Sequence, residues 1–204
     1  NYQYAHTSTV TISLKHTTAD NFSSSSTTAS TAWSNNNTGF TQVFSGSVSF
    51  TTGGWTAITL DNSFEYDGTR NLMIKVENSG TANTSNYTRF YTYPTSSTAR
   101  SLVYININTS YFFGASSQPT TYSSSETYYA SQLGLTITSG GGSTDCPTIG
   151  TGTNNSLSGS SNTGYGSPMG NTYYYYSTAQ MLYTATELGN QAMTINSLSF
   201  YHNA

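Results

Sequence analysis

Three carboxylates crowd one short stretch of this 204-residue chain, Asp61, Glu65 and Asp67, with the backbone carbonyls around Gly68 close behind. Hard oxygen donors at such spacing are what Ca²⁺ takes as ligands. The stretch lacks the alternating Asp/Asn pattern and distal Glu of a dedicated calcium loop, and Asp67-Gly68 already reads as a turn between strands. A Ca²⁺ site is therefore an expectation secondary to a turn. His16 and Asp20 would supply a base and its orienting carboxylate, with serine as nucleophile. No Gly-x-Ser-x-Gly or His-Glu-x-x-His accompanies them, so only the abundance of serine speaks for hydrolysis. Asp61 with Glu77 or Glu126 would provide the two acids of a glycoside hydrolase, yet no sequence signal pairs them. The expectation is a chain that performs no reaction and needs no cofactor.

Aromatic residues offer a different chemistry. There are 18 Tyr, 9 Phe and 2 Trp, and Tyr173 to Tyr176 are consecutive. In a strand, neighbours point to opposite faces, so two of these tyrosines face away from the core. An outward Tyr presents a flat apolar ring and a hydroxyl at little entropic cost, which suits packing on another subunit or stacking on a sugar. Cross-strand pairing within the fold would occupy some of them. Asn-x-Ser/Thr triplets at Asn21, Asn36, Asn83, Asn86, Asn108 and Asn154 are candidate glycan attachment points.

These groups sit in a chain with only 6% charged residues and a net charge of −3. Ser, Thr, Asn, Gly and Tyr replace the charge that a soluble protein ordinarily carries. Lys15, Arg70, Lys75, Arg89 and Arg100 are scattered, which speaks against nucleic acid as a partner. Apolar stretches such as Leu102 to Ile107 are strand-sized, so no membrane insertion is expected. Cys146 is the sole cysteine, which leaves no partner for an internal disulfide.

The elements that must position these residues are strands. Apolar and aromatic residues alternate with Ser and Thr at period two, predicting strands at Val10-Ile12-Leu14, Val43 to Phe50, Trp55 to Leu60, Leu72-Ile74-Val76, Tyr87 to Tyr93, Leu102 to Ile107, Leu133-Leu135-Ile137, Thr172 to Tyr183 and Ile195 to Tyr201. Gly53-Gly54 and Asp67-Gly68 punctuate them as turns. Thr184 and Glu187 have capping-box spacing with Gly189 as a stop, predicting one helical turn. The fold class expected is all-β, an antiparallel β-sandwich of jelly-roll type with at most that one turn.

Residues 139–147 form a Gly/Ser-rich linker, and too few strands follow it for a second core. Residues 1–138 and 148–204 are therefore expected to make one sandwich together. The first residue is not Met, so the chain reads as a processed product or an excerpt. Val10 to Leu14 and Ile195 to Tyr201 share an alternation that would make a hairpin if Ala204 were joined to Asn1.

Taken from 148 to 204 and on through 1 to 138, several segments fall into a recognisable order. Ile149-Gly150-Thr151-Gly152-Thr153 comes first, then a Tyr-rich strand into Ala179-Gln180-Met181-Leu182-Tyr183-Thr184-Ala185-Thr186-Glu187-Leu188-Gly189. Ile195-Asn196-Ser197-Leu198-Ser199-Phe200-Tyr201 and Thr11-Ile12-Ser13-Leu14-Lys15-His16-Thr17-Thr18 follow. Val43-Phe44-Ser45-Gly46, Gly54-Trp55-Thr56-Ala57-Ile58-Thr59-Leu60 and Phe64-Glu65-Tyr66-Asp67-Gly68-Thr69-Arg70-Asn71-Leu72 complete the series. In this order the chain resembles a β-sandwich repeat of large bacterial secreted surface proteins, many similar to type IX secretion cargo.

The resemblance implies a jelly-roll sandwich without shared catalytic residues, located outside the cell. The permuted order admits one period of a tandem array, a subunit whose strand completes its neighbour, or a circular permutant. The first two imply head-to-tail assembly of copies by strand pairing, with Val10, Ile12, Leu14, Leu198, Phe200, Tyr201, Tyr174 and Tyr176 as contact residues. The leading expectation is a structural subunit or repeat of an extracellular filament or giant adhesin. The alternative is a carbohydrate-binding module of a secreted protein, with glycans as partner; an accessory domain of a secreted hydrolase is third.

Overall fold

Period-two alternation becomes alternating burial in the computed structural model, which describes residues 6–22, 38–51, 53–79, 89–95, 99–106, 123–127, 129–139, 144–145, 147–150, 154–156 and 176–203. Strand β1 (His6–Thr17) buries Val10, Ile12 and Leu14. Strand β2 (Thr41–Phe50) buries Val43, Val48 and Phe50, and β3 (Gly54–Tyr66) buries Ile58, Leu60, Phe64 and Tyr66. The others are β4 (Asn71–Asn78), β5 (Arg89–Pro94), β6 (Ser101–Asn106), β7 (Ser123–Thr127), β8 (Tyr129–Ser131), β9 (Leu133–Ser139), β10 (Thr144–Asp145), β11 (Thr148–Ile149), β12 (Asn154–Ser156), β13 (Tyr176–Tyr183) and β14 (Met193–Asn203).

They form two antiparallel sheets. Sheet A runs β2-β1-β4-β13-β6-β7. In sheet B, β14 is the hub: β3 pairs along one side, and β9 then β5 along the other. Strands β10 and β11 continue from β9, and β8 and β12 pair with β5. Phe50, Phe90, Tyr183 and Phe200 fill the core at 1% exposure or less. Along most of the chain successive strands change sheet, β2 to β3 to β4 to β5 to β6 and again β13 to β14. The fold is thus an all-β antiparallel sandwich of jelly-roll type.

Thr184 and Glu187 make the expected turn. The Glu187 carboxylate accepts from Thr184 N at 2.7 Å, and Glu187 N donates to Thr184 Oγ1 at 3.3 Å. Gly189, with φ of 79°, closes it. At the Asp67-Gly68 turn, a Cβ on Gly68 would lie 2.4 Å from the backbone of Ala192, so glycine is required by space as well as by its φ of 75°.

Two sequence expectations change. The hairpin between β1 and β14 does not form: β1 lies between β2 and β4 in sheet A, and β14 is interior to sheet B. Matching alternation gives two strands the same inward face, but it does not say that they share a sheet. The Gly-rich run at 139–147 joins neighbours, because Thr144 and Asp145 pair back on Thr138 and Ile137.

Candidate functional site

The outer face of sheet B carries a row of aromatic side chains at one end. Trp55 on β3 is in register with Tyr201 on β14, and their ring centroids lie 5.2 Å apart with planes tilted by 49°. Tyr91 on β5 continues the row, 4.6 Å from Tyr201 and tilted by 46°. Trp55 is 43% exposed, the one large hydrophobic side chain so exposed among the described residues. Its benzo edge reaches over β14 to Gly134 on β9, where an added Cβ would lie 3.3 Å from Trp55 Cζ3. To span β14 in this way the side chain must run along the sheet and not stand away from it. Beside the row the face is small and hydroxylated, with Ala57, Ser199 and Gly134 in one register and Thr59, Ser197 and Thr136 in the next. Ser197 and Thr136 hydroxyls hydrogen-bond at 2.9 Å.

The acidic residues that suggested Ca²⁺ do not converge. Asp61 Oδ2 accepts from Ser45 N at 2.9 Å, and Glu65 Oε2 accepts from Thr194 Oγ1 at 2.9 Å. Asp67 Oδ1 accepts from the backbone N–H groups of Thr69 and Arg70, and its other oxygen from the Arg70 guanidinium. Partial burial opposes ionisation of Asp67, but those backbone donors, the Arg70 side chain and nearby His16 outweigh it and hold the carboxyl well below the usual range. No cluster of three potential ligands exists among the described residues. The Ca²⁺ expectation gives way to a strand turn, as carboxylate oxygens already filled by turn amides are poor ligands.

Asp61 has another consequence. Among the described residues β2 is one edge of sheet A and β3 one edge of sheet B. By accepting from Ser45 N, the Asp61 carboxylate ties β3 to the outward N–H side of β2. A charged group on an edge amide opposes addition of a foreign strand.

His16 and Asp20 do not pair as base and orienter. His16 Nε2 accepts from Asp67 N at 3.1 Å while its ring stacks on Tyr66, and Asp20 Oδ1 accepts from Asn71 Nδ2 at 3.0 Å. Of the carboxylates considered for glycoside hydrolysis, Asp61 is on β3 of sheet B, whereas Glu77 is on β4 and Glu126 on β7 of sheet A.

The densest polar cluster was not foreseen as a unit. Arg100 grips both Glu187 oxygens at 3.0 to 3.1 Å, and Tyr93 Oη donates to Glu187 Oε1 at 3.0 Å. Burial, reinforced by Glu187, raises the Tyr93 hydroxyl far above its ordinary range. Beside it opens a cleft of about 250 Å³ with apolar walls from Leu135, Ile137, Ile149 and Met193. Glu187 lines the cleft, but both its oxygens are engaged in this clamp and in the turn it anchors.

Of the proposed assembly residues, Val10, Ile12, Leu14, Leu198 and Phe200 are core, each 1% exposed or less. Their strands are flanked on both sides within the chain. Tyr201 alone of the set reaches the aromatic row; Tyr176 begins β13, opposite Asn106. Tyr174 lies outside the described residues, as do Cys146, Asn36, Asn83, Asn86 and Asn108. Asn21 is half-buried next to the buried Phe22, and Asn154 starts β12 opposite Thr92. Trp55 and Tyr91 were missed as site residues; the exposed Trp following Gly53-Gly54 was the available signal. Comparison with protein-family models, curated proteins and solved structures finds no match to this chain.

Proposed function

We propose that the chain is a non-catalytic module of an extracellular surface structure, an adhesin or filament component, and that it works by contact through the Trp55–Tyr201–Tyr91 face. The exposed indole of Trp55 carries this reading. A Trp held against its own sheet with one side open is a rigid apolar surface that loses little entropy on contact. The burial of β1 and β14 and the tie from Asp61 to Ser45 favour face contact over strand addition. The near absence of charge suits a surface insensitive to salt.

Retention of the full chain on immobilised polysaccharide, glycoprotein and the chain itself tests the reading. Retention on at least one surface, lost in Trp55→Ala with the fold intact by circular dichroism, is the expected result. Equal retention of both proteins on every surface would overturn it.

A further inference from the structure

We infer that Lys75 and Gln180 join their side chains in an intramolecular isopeptide bond, with Glu77 carrying the proton, and that this cross-link ties β4 to β13. Cys146 is the sole cysteine, so no disulfide can serve that purpose within the chain.

The strand register brings the three groups together. Ile74, Val76 and Met181 belong to the core, so Lys75, Glu77 and Gln180, one step along their strands, share the other face of sheet A. Lys75 is directly opposite Gln180, and Glu77 is opposite Thr178. That face is closed to water as well: Lys75 is 8% exposed, Glu77 4% and Gln180 0%, with Leu102, Met73 and Leu182 fully buried around them. Among the described residues neither atom of the Gln180 carboxamide has a hydrogen-bond partner, a costly state for a buried amide.

Lys75 Nζ stands 3.4 Å from Glu77 Oε1 and 5.0 Å from the Phe40 ring centroid, toward the β1 side of its strand. Opposed residues of an antiparallel pair have Cβ atoms about 4.5–5.5 Å apart. Rotation about the flexible lysine stem therefore carries Nζ from Phe40 to the Gln180 carbonyl carbon. Burial raises the proton affinity of the Glu77 carboxyl, against the opposing charge of Lys75. Glu77 accepts a proton from the ammonium, and the amine so formed attacks Gln180 Cδ. As the Nζ–Cδ bond forms and the Cδ–Nε2 bond breaks, a second Nζ proton passes through the same carboxyl to Nε2, which leaves as ammonia. Glu77 keeps the first proton. The product replaces a buried ammonium and an unpaired primary amide with one secondary amide bearing a single N–H. The reaction happens once per chain, so no turnover is implied.

Intact-mass measurement of the full chain, folded and then denatured, tests this. The expected mass lies about 17 Da below that of the linear sequence, the loss of one ammonia. Proteolysis should release one cross-linked species joining a peptide with Lys75 to a peptide with Gln180. Lys75→Met, Gln180→Leu and the near-isosteric Glu77→Gln should each show the full mass. The wild-type mass decides the matter even where a variant fails to fold. A folded wild type of full mass overturns the assignment, as does a deficit that persists in Lys75→Met or maps to a succinimide at an asparagine. A deficit retained by Glu77→Gln overturns the role given to its carboxyl.

Discussion

Gly134 and Trp55 are fitted to each other across β14: a Cβ on Gly134 would lie 2.3 Å from Ser199 Oγ and 3.3 Å from Trp55 Cζ3. The missing side chain on β9 makes room for the indole that begins on β3. Gly134→Ala should lift the ring and cost about 1–3 kcal/mol, the usual range for overpacking. Urea unfolding gives the stability change, and indole fluorescence in a Trp33→Phe background shows the altered environment of Trp55.

Arg100 is 8% exposed and Glu187 is its counter-charge. Glu187→Ala leaves that guanidinium nearly buried without a partner and removes the acceptor of Tyr93 and Thr184. The expected loss is roughly 3 kcal/mol. Arg100→Met combined with Glu187→Leu should recover part of it, and a double-mutant cycle in urea would measure the coupling.

Both His16 and His202 have their basicity lowered, chiefly by burial. His202 Nε2 lies 2.7 Å from Thr56 Oγ1, and Nδ1 has no hydrogen-bond partner among the described residues. The folded state holds fewer protons on these rings than the unfolded chain, so stability is full above the ordinary histidine pKa of 6.5 and falls as pH drops below it. Thermal melts from pH 7.5 to 5 should show this decline. His202→Asn should flatten it, although the variant is less stable at pH 7.5.

Ca²⁺ should neither bind nor stabilise, because Asp61, Glu65 and Asp67 each serve a different partner. Melting temperatures in 5 mM CaCl₂ and in EDTA should coincide, as expected for a ligand that has no site.

Asp61→Ala should act on association more than on folding. It frees the Ser45 amide on the edge strand β2 and removes a charge from β3, which is how an edge becomes open to pairing. Sedimentation velocity should show stronger concentration-dependent association in the variant than in the parent chain.

Much of the sandwich was legible because Ser and Thr alternate so cleanly with apolar residues. All nine predicted strands are present in their described parts, and Thr184, Glu187 and Gly189 build the predicted turn. Ser123–Thr127 was missed because SSSET has no apolar alternation to read; its place is set by pairing with β6. Partnership was not legible. Val10-Ile12-Leu14 and Leu198-Phe200 look like mates because both fill one core, yet they fill it from opposite sheets. The acids misled through proximity in sequence, since Glu65 and Asp67 sit at different points of a strand and its turn. The aromatic row needed three strands, β3, β5 and β14, whose meeting no local pattern announces.

The central position of β13 and β14 governs when the fold can exist. β4 waits for β13, pairing Val76 with Ala179, and β3 waits for β14, pairing Ile58 with Leu198. A chain emerging from its N-terminus can pair β1 with β2 and β4, but β3 lacks its partner β14 and β4 its second flank until residues 176–203 arrive. Contacts so distant in sequence make closure slow and late. Until that moment the polypeptide remains threadable, and a nick or a stalled synthesis ahead of β13 leaves no half-sized remnant able to stand alone.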